Sequence, residues 1–376
     1  MKIPLHRPYL DKNETTNIEK VLRSGWLTKG PVCEEFEKKC ADYIGTKYAI
    51  AVTSCTAALH LSLLSLDLNK GDEVLVSDYT FPATGHSVLY CGLIPKFVDI
   101  KPTTFNIDPS LIEKNITNKT KAIIPVHAFG QPADMDSIME IARKHNLKVI
   151  EDAACAFGSI YKNRKTGSLS DIGCFSFHAT KGITTGEGGL VTTDNEEIAN
   201  KVRSLSVFGR ESSWEVEKSE KFIIPNFYSL GYNYKMPDIL ASIGLAQLNK
   251  VEEIIRRRIY LSDYLSYKLK DLDEVTVPYI REDVRHNFQS YNILIDKKID
   301  RNCFIERMRD DGVQVQIGTY SSYCQPIYSK FIKIDYQCPI SLDIFNRSVR
   351  LPLFYNLTKK EIDQVVSLLK KNIRRL

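Results

Sequence analysis

The chain has 376 residues, of which 43% are hydrophobic and 26% charged, and its net charge at pH 7 is +5. This length and composition exclude a largely disordered chain and are typical of a globular protein large enough for two domains. The basic clusters at 256–258 and 370–375 fall in helical-looking segments rather than beside stacked aromatic residues. We therefore expect no nucleic-acid partner.

Cysteine usage and the N-terminus indicate the compartment. Nine cysteines form no CxxC pair and are odd in number, which favours a reducing compartment over a disulfide framework. The opening MKIPLHRPYL lacks the apolar core of a signal peptide. The charge-free run 48–66 approaches the length of a bilayer span, but its hydroxyl groups and His60 favour a strand that turns into a helix. We expect a cytoplasmic protein without a membrane partner.

Apolar and helical patterns alternate along the first two thirds of the chain. Seven short apolar runs lie at 48–53, 73–77, 94–98, 121–126, 147–151, 172–177 and 188–193. Helix-like stretches such as 56–67 and 134–145 separate several of them. This alternation predicts an α/β fold with a mostly parallel seven-stranded sheet covered on both faces.

The pattern changes near residue 238. One long helical run, 238–272, is followed by sparser strands and a final helix near 358–373. We interpret the change as the crossing into a smaller α+β domain, and predict a large domain over 1–245 and a small one over 246–376.

Polar residues follow three of the predicted strands. Thr53, Ser54 and Thr56 meet a helix start, where they form either an anion site or an ordinary N-cap. Asp152 ends the fifth run, as a ligand contact or a helix cap, and the sixth leads into CFSFHATKGITTGEGG at 174–189. That stretch surrounds one lysine with small and hydroxylic residues, although a buried lysine is rare without a partner.

Several other kinds of site are disfavoured by the motifs. The run TTGEGG fits neither the phosphate-loop nor the dinucleotide-binding pattern. The seven histidines show no HExxH or comparable spacing, so we expect no metal site. No GxSxG elbow is present, and a strand-end cysteine such as Cys155 is more often a small buried thiol than a nucleophile.

A phosphate site, a carboxylate and an amine at neighbouring strand ends match the needs of one cofactor, pyridoxal phosphate. Asp152 would stand opposite the pyridine nitrogen and keep the ring protonated as an electron sink. Lys181 would hold the aldehyde as a Schiff base and, once displaced by the incoming amine, shuttle the proton.

Six motifs in order carry a resemblance that covers nearly the whole chain. They read SGWLTKGPVCEEFE, GDEVLVSDYTFPAT, PVHAFGQPADMDSI, VIEDAACAFGS, FSFHATKGITTGEGG and LGYNYKMPDILASIGLAQL. The sequence resembles the DegT/DnrJ/EryC1/StrS family of sugar-nucleotide aminotransferases, which have the aspartate aminotransferase-like fold, PLP fold type I.

The resemblance implies roles for individual residues. Lys181 would form the internal aldimine with pyridoxal 5'-phosphate, and Asp152 would contact the pyridine nitrogen. Phe81 would stack on the ring, although a core role is equally open to it. The cofactor phosphate would be held by Thr56, the amide of Cys55 and Ser176. Asn233 would reach the same phosphate from a neighbouring subunit. The active form would therefore be a homodimer with a composite site.

Cys155 departs from the family, which usually has His or Gln there to hydrogen-bond the phenolic oxygen of the cofactor. A thiol is a weak donor, so water or another side chain would supply this contact. Loops at 26–31, 208–228 and 316–328 are expected to shape the substrate side. The candidate substrate contacts are Trp26, Lys29, His178, Glu187 and Tyr320.

The family reaction takes an amine from an amino acid, most often L-glutamate, and gives it to a keto group of a nucleotide-linked sugar. The run TTGEGG at 184–189 resembles the C4-aminating subgroup, whereas C3-aminating members tend towards a GALGDGG-like run. The expected substrate is a nucleotide-linked 4-keto-6-deoxyhexose. The nucleotide expected first is dTDP, the second GDP and the third UDP. Its 4-amino-4,6-dideoxy product would feed a surface polysaccharide such as the O-antigen of lipopolysaccharide.

Three alternatives remain open beside this expectation. The first is amination at C3. The second is a sugar dehydratase that uses the same cofactor; its relatives replace the lysine with histidine, so Lys181 argues against it. The third is a non-catalytic sensor, against which intact Lys181, Asp152 and Ser176 argue.

Overall fold

A computed structural model describes residues 2–210 and 224–375 of the chain. The strands are β1 Tyr48–Val52, β2 Glu73–Ser77, β3 Tyr79–Thr80, β4 Ile94–Val98, β5 Thr120–Ile124, β6 Lys148–Asp152, β7 Ile160–Tyr161, β8 Arg164–Lys165, β9 Ile172–Ser176, β10 Gly189–Thr193, β11 Val275–Thr276, β12 Val284–Arg285, β13 Tyr291–Ile295, β14 Gln316–Ile317, β15 Tyr320–Ser321 and β16 Ser348–Leu351. The α-helices are α1 Lys12–Ser24, α2 Pro31–Ile44, α3 Cys55–Leu64, α4 Pro82–Tyr90, α5 Pro109–Asn115, α6 Met135–Lys144, α7 Glu196–Ser206, α8 Asp238–Leu248, α9 Val251–Leu269, α10 Arg301–Asp310, α11 Pro339–Arg347 and α12 Lys359–Ile373. Short 3₁₀ turns lie at Ala128–Gly130 and Tyr328–Lys330.

The seven predicted apolar runs are the seven strands of the central sheet, in the order β1-β10-β9-β6-β5-β2-β4. Strand β10 is antiparallel to both of its neighbours, and the other pairings are parallel. The predicted α/β fold with a mostly parallel sheet is therefore confirmed. Parallel strands bury both faces, which explains why these runs are continuously apolar rather than alternating.

Helices cover both faces of this sheet. On one face, buried side chains such as Ile50, Val76 and Ile150 pack against α3 and α7. On the other face, Ala51 and Phe175 belong to the core formed with α2, α8 and α9. The alternation along each strand sends successive side chains to opposite faces, so one sheet holds two hydrophobic layers.

A second, antiparallel sheet in the order β11-β13-β16-β14 forms the smaller C-terminal part. Buried residues of α9, α10 and α12 pack on it in a separate core, exemplified by Leu265, Phe304 and Val365. This agrees with the predicted small α+β domain. The predicted boundary between residues 245 and 246 lies in the last turn of α8, and the boundary itself stays a prediction.

The prediction of one helical run over 238–272 is wrong, because α8 and α9 are separate helices. The helical conformation is interrupted at Lys250, whose backbone lies outside the helical region at φ −116° and ψ 9°. Its ammonium lies 2.6 Å from Glu14 Oε1 and 3.1 Å from Asp11 Oδ2. These ion pairs join segments distant in sequence, so the helical pattern alone could not reveal the break.

The small domain reaches the carboxyl edge of the large sheet through β15, which pairs with β3. Asp78 anchors this contact, since its carboxylate accepts hydrogen bonds from Ser321 Oγ at 2.6 Å, Ser341 Oγ at 2.5 Å and the Tyr323 amide at 2.6 Å. Burial raises the pKa of Asp78 to about 6. Among the described residues, no helix is long and apolar enough to cross a membrane.

Candidate active site

A cavity of about 430 Å³ lies at the carboxyl ends of the central strands, between the two domains. In open α/β sheets ligands bind at this edge. Ten of the residues singled out from the sequence line it together: Cys55, Thr56, Phe81, Asp152, Cys155, Ser176, His178, Lys181, Glu187 and Tyr320.

The N-terminus of α3 forms one end of the cavity. Ser54 caps the helix by accepting a hydrogen bond from the Ala57 amide at 3.1 Å. Within residues 2–210 and 224–375, the amides of Cys55 and Thr56 have no acceptor. A Cβ at Gly189 would collide with the Ser54 carbonyl, so glycine is needed where β10 passes this turn. Free amides at a helix N-terminus make a site for an anion.

The carboxylate of Asp152 ends β6 and lies buried in the cavity wall, 5% exposed. Its Oδ2 accepts a hydrogen bond from Thr84 Oγ1 at 2.7 Å, and its Oδ1 accepts one from the Ala154 amide at 3.2 Å. Burial raises the pKa of Asp152, although these two donors and Lys181 favour the charged form. A cationic N–H group placed beside such a carboxylate would stabilise its charged form.

Lys181 follows β9 on a turn in which its amide donates to the His178 carbonyl at 2.9 Å. Its ammonium donates to Cys155 Sγ at 3.2 Å, and no carboxylate of the described chain lies in ion-pair contact with it. Burial lowers the pKa of Lys181, whereas the contact with Cys155 and the charge of Asp152 raise it, and the net direction is upward. The amine is thus held in the cavity without being committed to an ion pair.

Comparison with known proteins identifies the family. The model of the DegT/DnrJ/EryC1/StrS aminotransferase family matches residues 8–370. The chain belongs to this family. It is 38% identical to the GDP-perosamine synthase of Caulobacter vibrioides, over 98% of this chain and 97% of that protein. It is 36% identical to the spore coat polysaccharide biosynthesis protein SpsC of Bacillus subtilis, over 97% of this chain and 95% of that protein.

Solved structures agree with the family assignment. Spr1654 of Streptococcus pneumoniae, in a PMP form, superposes with a TM-score of 0.94 at 28% identity and covers 99% of both chains. The same protein has also been solved in a PLP form. The chain is therefore a PLP-dependent sugar aminotransferase with the fold expected from its sequence.

The cavity of this aminotransferase fits the cofactor on three counts. Unpaired amides at the start of α3 suit a phosphate, the buried carboxylate of Asp152 suits a protonated pyridine nitrogen, and the amine of Lys181 suits an aldehyde. Burial raises the pKa of Cys55 well above its usual value, so this thiol stays neutral and does not repel an anion at the helix start.

The mouth of the cavity is lined by aromatic and charged side chains. Phe81 is 64% exposed, and its ring meets that of Tyr320 edge-on with centroids 6.3 Å apart. His178 Nδ1 shares a hydrogen bond with Thr180 Oγ1 at 2.9 Å, while its Nε2 lies 3.6 Å from Glu187 Oε1. The mouth therefore offers both a flat apolar surface and polar groups.

Three of the predicted site residues, Trp26, Lys29 and Asn233, do not line this cavity within the described part of the subunit. Lys29 is buried and forms an ion pair with Glu37 at 2.7 Å, and the Trp26 indole donates to the Lys29 carbonyl at 3.1 Å. Asn233 is exposed and accepts a hydrogen bond from Lys235. Of the loop predicted at 208–228, residues 211–223 lie outside the described ranges.

Thr84 and Arg350 are among the cavity-wall residues that reasoning from the sequence missed. Thr84 lies in the YTFPAT motif, in the first turn of α4. The sequence shows its hydroxyl group but not that the hydroxyl bonds to Asp152. Arg350 comes from β16 of the small domain, and no local pattern marks it. The sequence offers a signal for the first residue and none for the second.

Proposed function

We propose that this aminotransferase moves the amino group of L-glutamate to C4 of a nucleotide-linked 4-keto-6-deoxyhexose. The observation that carries the proposal is the joining of Lys181, Asp152 and the open N-terminus of α3 in one cavity. The loop at 184–189 supports C4 over C3, because it has the full TTGEGG form and closes one side of that cavity through Glu187.

The proposed roles follow from these positions. Bound pyridoxal 5'-phosphate supplies an aldehyde to carry the amine and a ring that accepts electrons when a proton leaves the amino carbon. The Lys181 amine binds the cofactor and, once released, moves the proton. Asp152 keeps the ring nitrogen protonated by ion pairing, and Thr84 holds that carboxylate in place.

The remaining proposed contacts fix the cofactor's orientation. The amides of Cys55 and Thr56, with the hydroxyls of Thr56 and Ser176, hold the phosphate, while Phe81 covers the ring. Cys155 lies against the Lys181 amine and offers only a weak S–H donor to a phenolic oxygen. We propose that water or another side chain makes the stronger contact there.

A homodimer completes the proposed site. Large exposed apolar residues precede Asn233 in the chain, namely Phe208, Ile224, Phe227, Tyr228 and Leu230. An apolar surface of this kind marks a protein interface more often than free solvent-exposed surface. We propose that a second copy covers it and that Asn233 then reaches the cofactor phosphate of the neighbouring subunit.

Similarity supports GDP ahead of dTDP as the nucleotide, with UDP third, because the relative at 38% identity is a GDP-perosamine synthase. The spore coat relative supports a product destined for a surface polysaccharide, and an O-antigen is one such polymer. The cysteine pattern supports a cytoplasmic location. Among the candidate contacts, His178, Glu187 and Tyr320 are the proposed sugar contacts at the mouth.

To test the proposal, the holoenzyme is incubated with L-glutamate and with 4-keto or 3-keto 6-deoxy sugars, each linked to GDP, dTDP or UDP. NMR of the products locates the new amine. We expect amination of the 4-keto sugars at C4 and none with Lys181→Ala. Amination at C3 alone would overturn the regiochemistry, and turnover of no keto sugar would overturn the proposal as a whole.

A further inference from the structure

His60 is a buried histidine of α3 that the proposed reaction does not use. It is 5% exposed and does not line the cavity in the described part of the subunit. Burial lowers the pKa of His60, so its ring is neutral at neutral pH. Its Nε2 is shielded from solvent and has no hydrogen-bond partner within residues 2–210 and 224–375. A buried polar atom without a partner costs free energy, so filling space does not by itself account for a ring nitrogen here.

The ring of His60 packs against two tyrosines that flank Asn233. The rings of Tyr232 and Tyr234 stack on each other with centroids 5.0 Å apart. The His60 ring meets that of Tyr232 edge-on at 4.8 Å and lies 6.1 Å from that of Tyr234. The Tyr234 hydroxyl lies 3.5 Å from His60 Nδ1, which is a long contact. Aromatic rings attract one another at these separations, so His60 holds the tyrosine pair against α3.

The backbone around Asn233 is strand-like and is attached to the start of α3. Asn233 forms an antiparallel bridge with Val207, and the Tyr234 carbonyl accepts a hydrogen bond from the Thr53 amide at 2.8 Å. Thr53 directly precedes Ser54, the N-cap of α3. Side chains alternate along extended backbone, so the two tyrosines that face α3 turn Asn233 away from it. The side chain of Asn233 is accordingly exposed.

We infer that His60 positions Asn233 for the cofactor site of the neighbouring subunit. The inference rests on the proposed function, in which Asn233 reaches the cofactor phosphate of a second copy. Binding is weakened by the conformational freedom that a contact residue loses, so a segment that is already held in place binds more tightly. His60 thus serves a site that belongs to the other subunit, and it acts through the tyrosine pair rather than by touching the cofactor.

A role within its own subunit is the alternative for His60. The first amides of α3 form the anion site of the subunit's own cavity. A change at His60 that disturbed the whole helix would weaken cofactor binding in that cavity. A change that released only Asn233 would weaken binding in the neighbour's cavity. The two roles therefore predict opposite results in dimers that carry the change in one subunit.

The first experiment measures cofactor affinity in homodimers of His60→Ala and His60→Leu. His86→Ala is the matched control, because His86 Nε2 is also buried without a described partner. The described ring contacts of His86 are with Tyr90 and Tyr328, not with the tyrosines beside Asn233. Each ligand-free protein is titrated with pyridoxal phosphate, and the absorbance of the lysine-bound cofactor is followed. We expect binding to be about tenfold weaker or more in His60→Ala, weaker also in His60→Leu, and unchanged in the control.

The second experiment uses mixed dimers purified through two different tags, in which Lys181→Ala silences one site. In the first mixed dimer, one subunit carries Lys181→Ala and the other His60→Ala. Its readable site receives Asn233 from a subunit with an intact His60, so affinity should match wild type. In the second, one subunit carries both changes and the other carries none. Its readable site receives Asn233 from the subunit without His60, so binding should be as weak as in the His60→Ala homodimer.

The reverse pattern in the two mixed dimers would show that His60 acts within its own subunit and would overturn the inference. Wild-type cofactor affinity in His60→Leu would also overturn it, by reducing the ring to a space-filling role. Thermal unfolding of the ligand-free variants accompanies these titrations, and a space-filling role predicts a more stable His60→Leu.

An Asn233→Ala homodimer separates this inference from the proposed function. Weak cofactor binding in Asn233→Ala beside wild-type binding in His60→Ala would overturn the inference alone. Wild-type binding in Asn233→Ala would remove the composite phosphate contact and the inference with it. If no keto sugar reacts with wild type, the proposed reaction fails, while the cofactor affinities still decide the role of His60.

Discussion

Thr84 donates a hydrogen bond from Oγ1 to Oδ2 of Asp152 at 2.7 Å. Thr84 is itself fully buried, so this bond is not exchanged for water. The carboxylate lies in a place where burial raises its pKa, and the threonine hydroxyl opposes that effect. The charge that the proposed chemistry needs on Asp152 therefore depends on a neighbour in α4.

Thr84→Val tests this dependence, with Thr84→Ser as the matched control. Valine keeps the shape but removes the donor, so the pKa of Asp152 should rise and the acid limb of the pH–rate profile should move to higher pH. A hydrogen bond to a charged group is worth about 1.5–3 kcal/mol, which corresponds to a loss of about tenfold or more in rate. Serine should keep the wild-type profile. Superimposable profiles for valine and wild type would contradict the account.

Asp152→Asn should retain the fold and lose most of the activity. A neutral amide cannot stabilise a protonated pyridine, so we expect the transfer rate to fall about a hundredfold or more. Removing a buried charge should leave thermal stability unchanged or higher. Asp136→Asn, at an exposed ion pair with Lys162, is the control and should keep full activity. Steady-state kinetics at saturating cofactor give the comparison, and near-normal rates for Asp152→Asn would remove its assigned role.

Much of the fold could be predicted because the seven strands are short apolar runs ended by turn residues. Their observed bounds differ from the predicted ones by no more than two residues, as at β5. The break between α8 and α9 was not predicted, since the residue at the break, Lys250, is held by ion pairs with Glu14 and Asp11 that are distant in sequence. Tertiary contacts outweighed a continuous helical pattern there.

The candidate site was partly predictable for a similar reason. Residues at strand ends or beside a marked helix start, such as Asp152 and Ser176, were visible because the carboxyl ends of parallel strands meet at one edge. Arg350 was not, because a strand pattern does not tell which of its faces meets a cavity formed by another domain. Lys29 resembled a ligand contact, yet folding pairs its charge with Glu37 at 2.7 Å.

Subunit complementation tests whether Asn233 serves the neighbouring site. Lys181→Ala and Asn233→Ala should each have little activity as homodimers. In a mixed dimer one site carries both changes and the other carries neither, so co-refolding should restore about a quarter of wild-type activity. Light scattering confirms the dimer, and Lys181→Ala mixed with itself is the control. Either a fully active monomer or no recovery in the mixed sample would contradict a composite site.

Acid should destabilise the small domain through His286. Burial, then the charge of Arg258, lowers the pKa of His286 from 6.5 to about 3. The unfolded chain therefore binds this proton below pH 6.5 while the folded chain does not, and stability is lost as the pH falls from 6.5 towards 3. This histidine contributes a loss of about 2 kcal/mol between pH 6.5 and 5.

His286→Asn removes the titrating ring and keeps an acceptor for the Phe288 amide, which donates to His286 Nδ1 at 2.9 Å. The free energy of unfolding in urea, measured at pH 7 and pH 5, should fall less in this variant than in wild type. An equal fall in both proteins would show that His286 does not sense the pH change.

Borohydride reduction of the holoenzyme, followed by proteolysis and mass spectrometry, tests the assignment of Lys181 most directly. Reduction fixes the cofactor to whichever amine holds it. The account predicts one modified peptide, carrying the cofactor on Lys181, and no modified peptide from Lys181→Ala. Cofactor attached to a different lysine of the wild-type protein would contradict it.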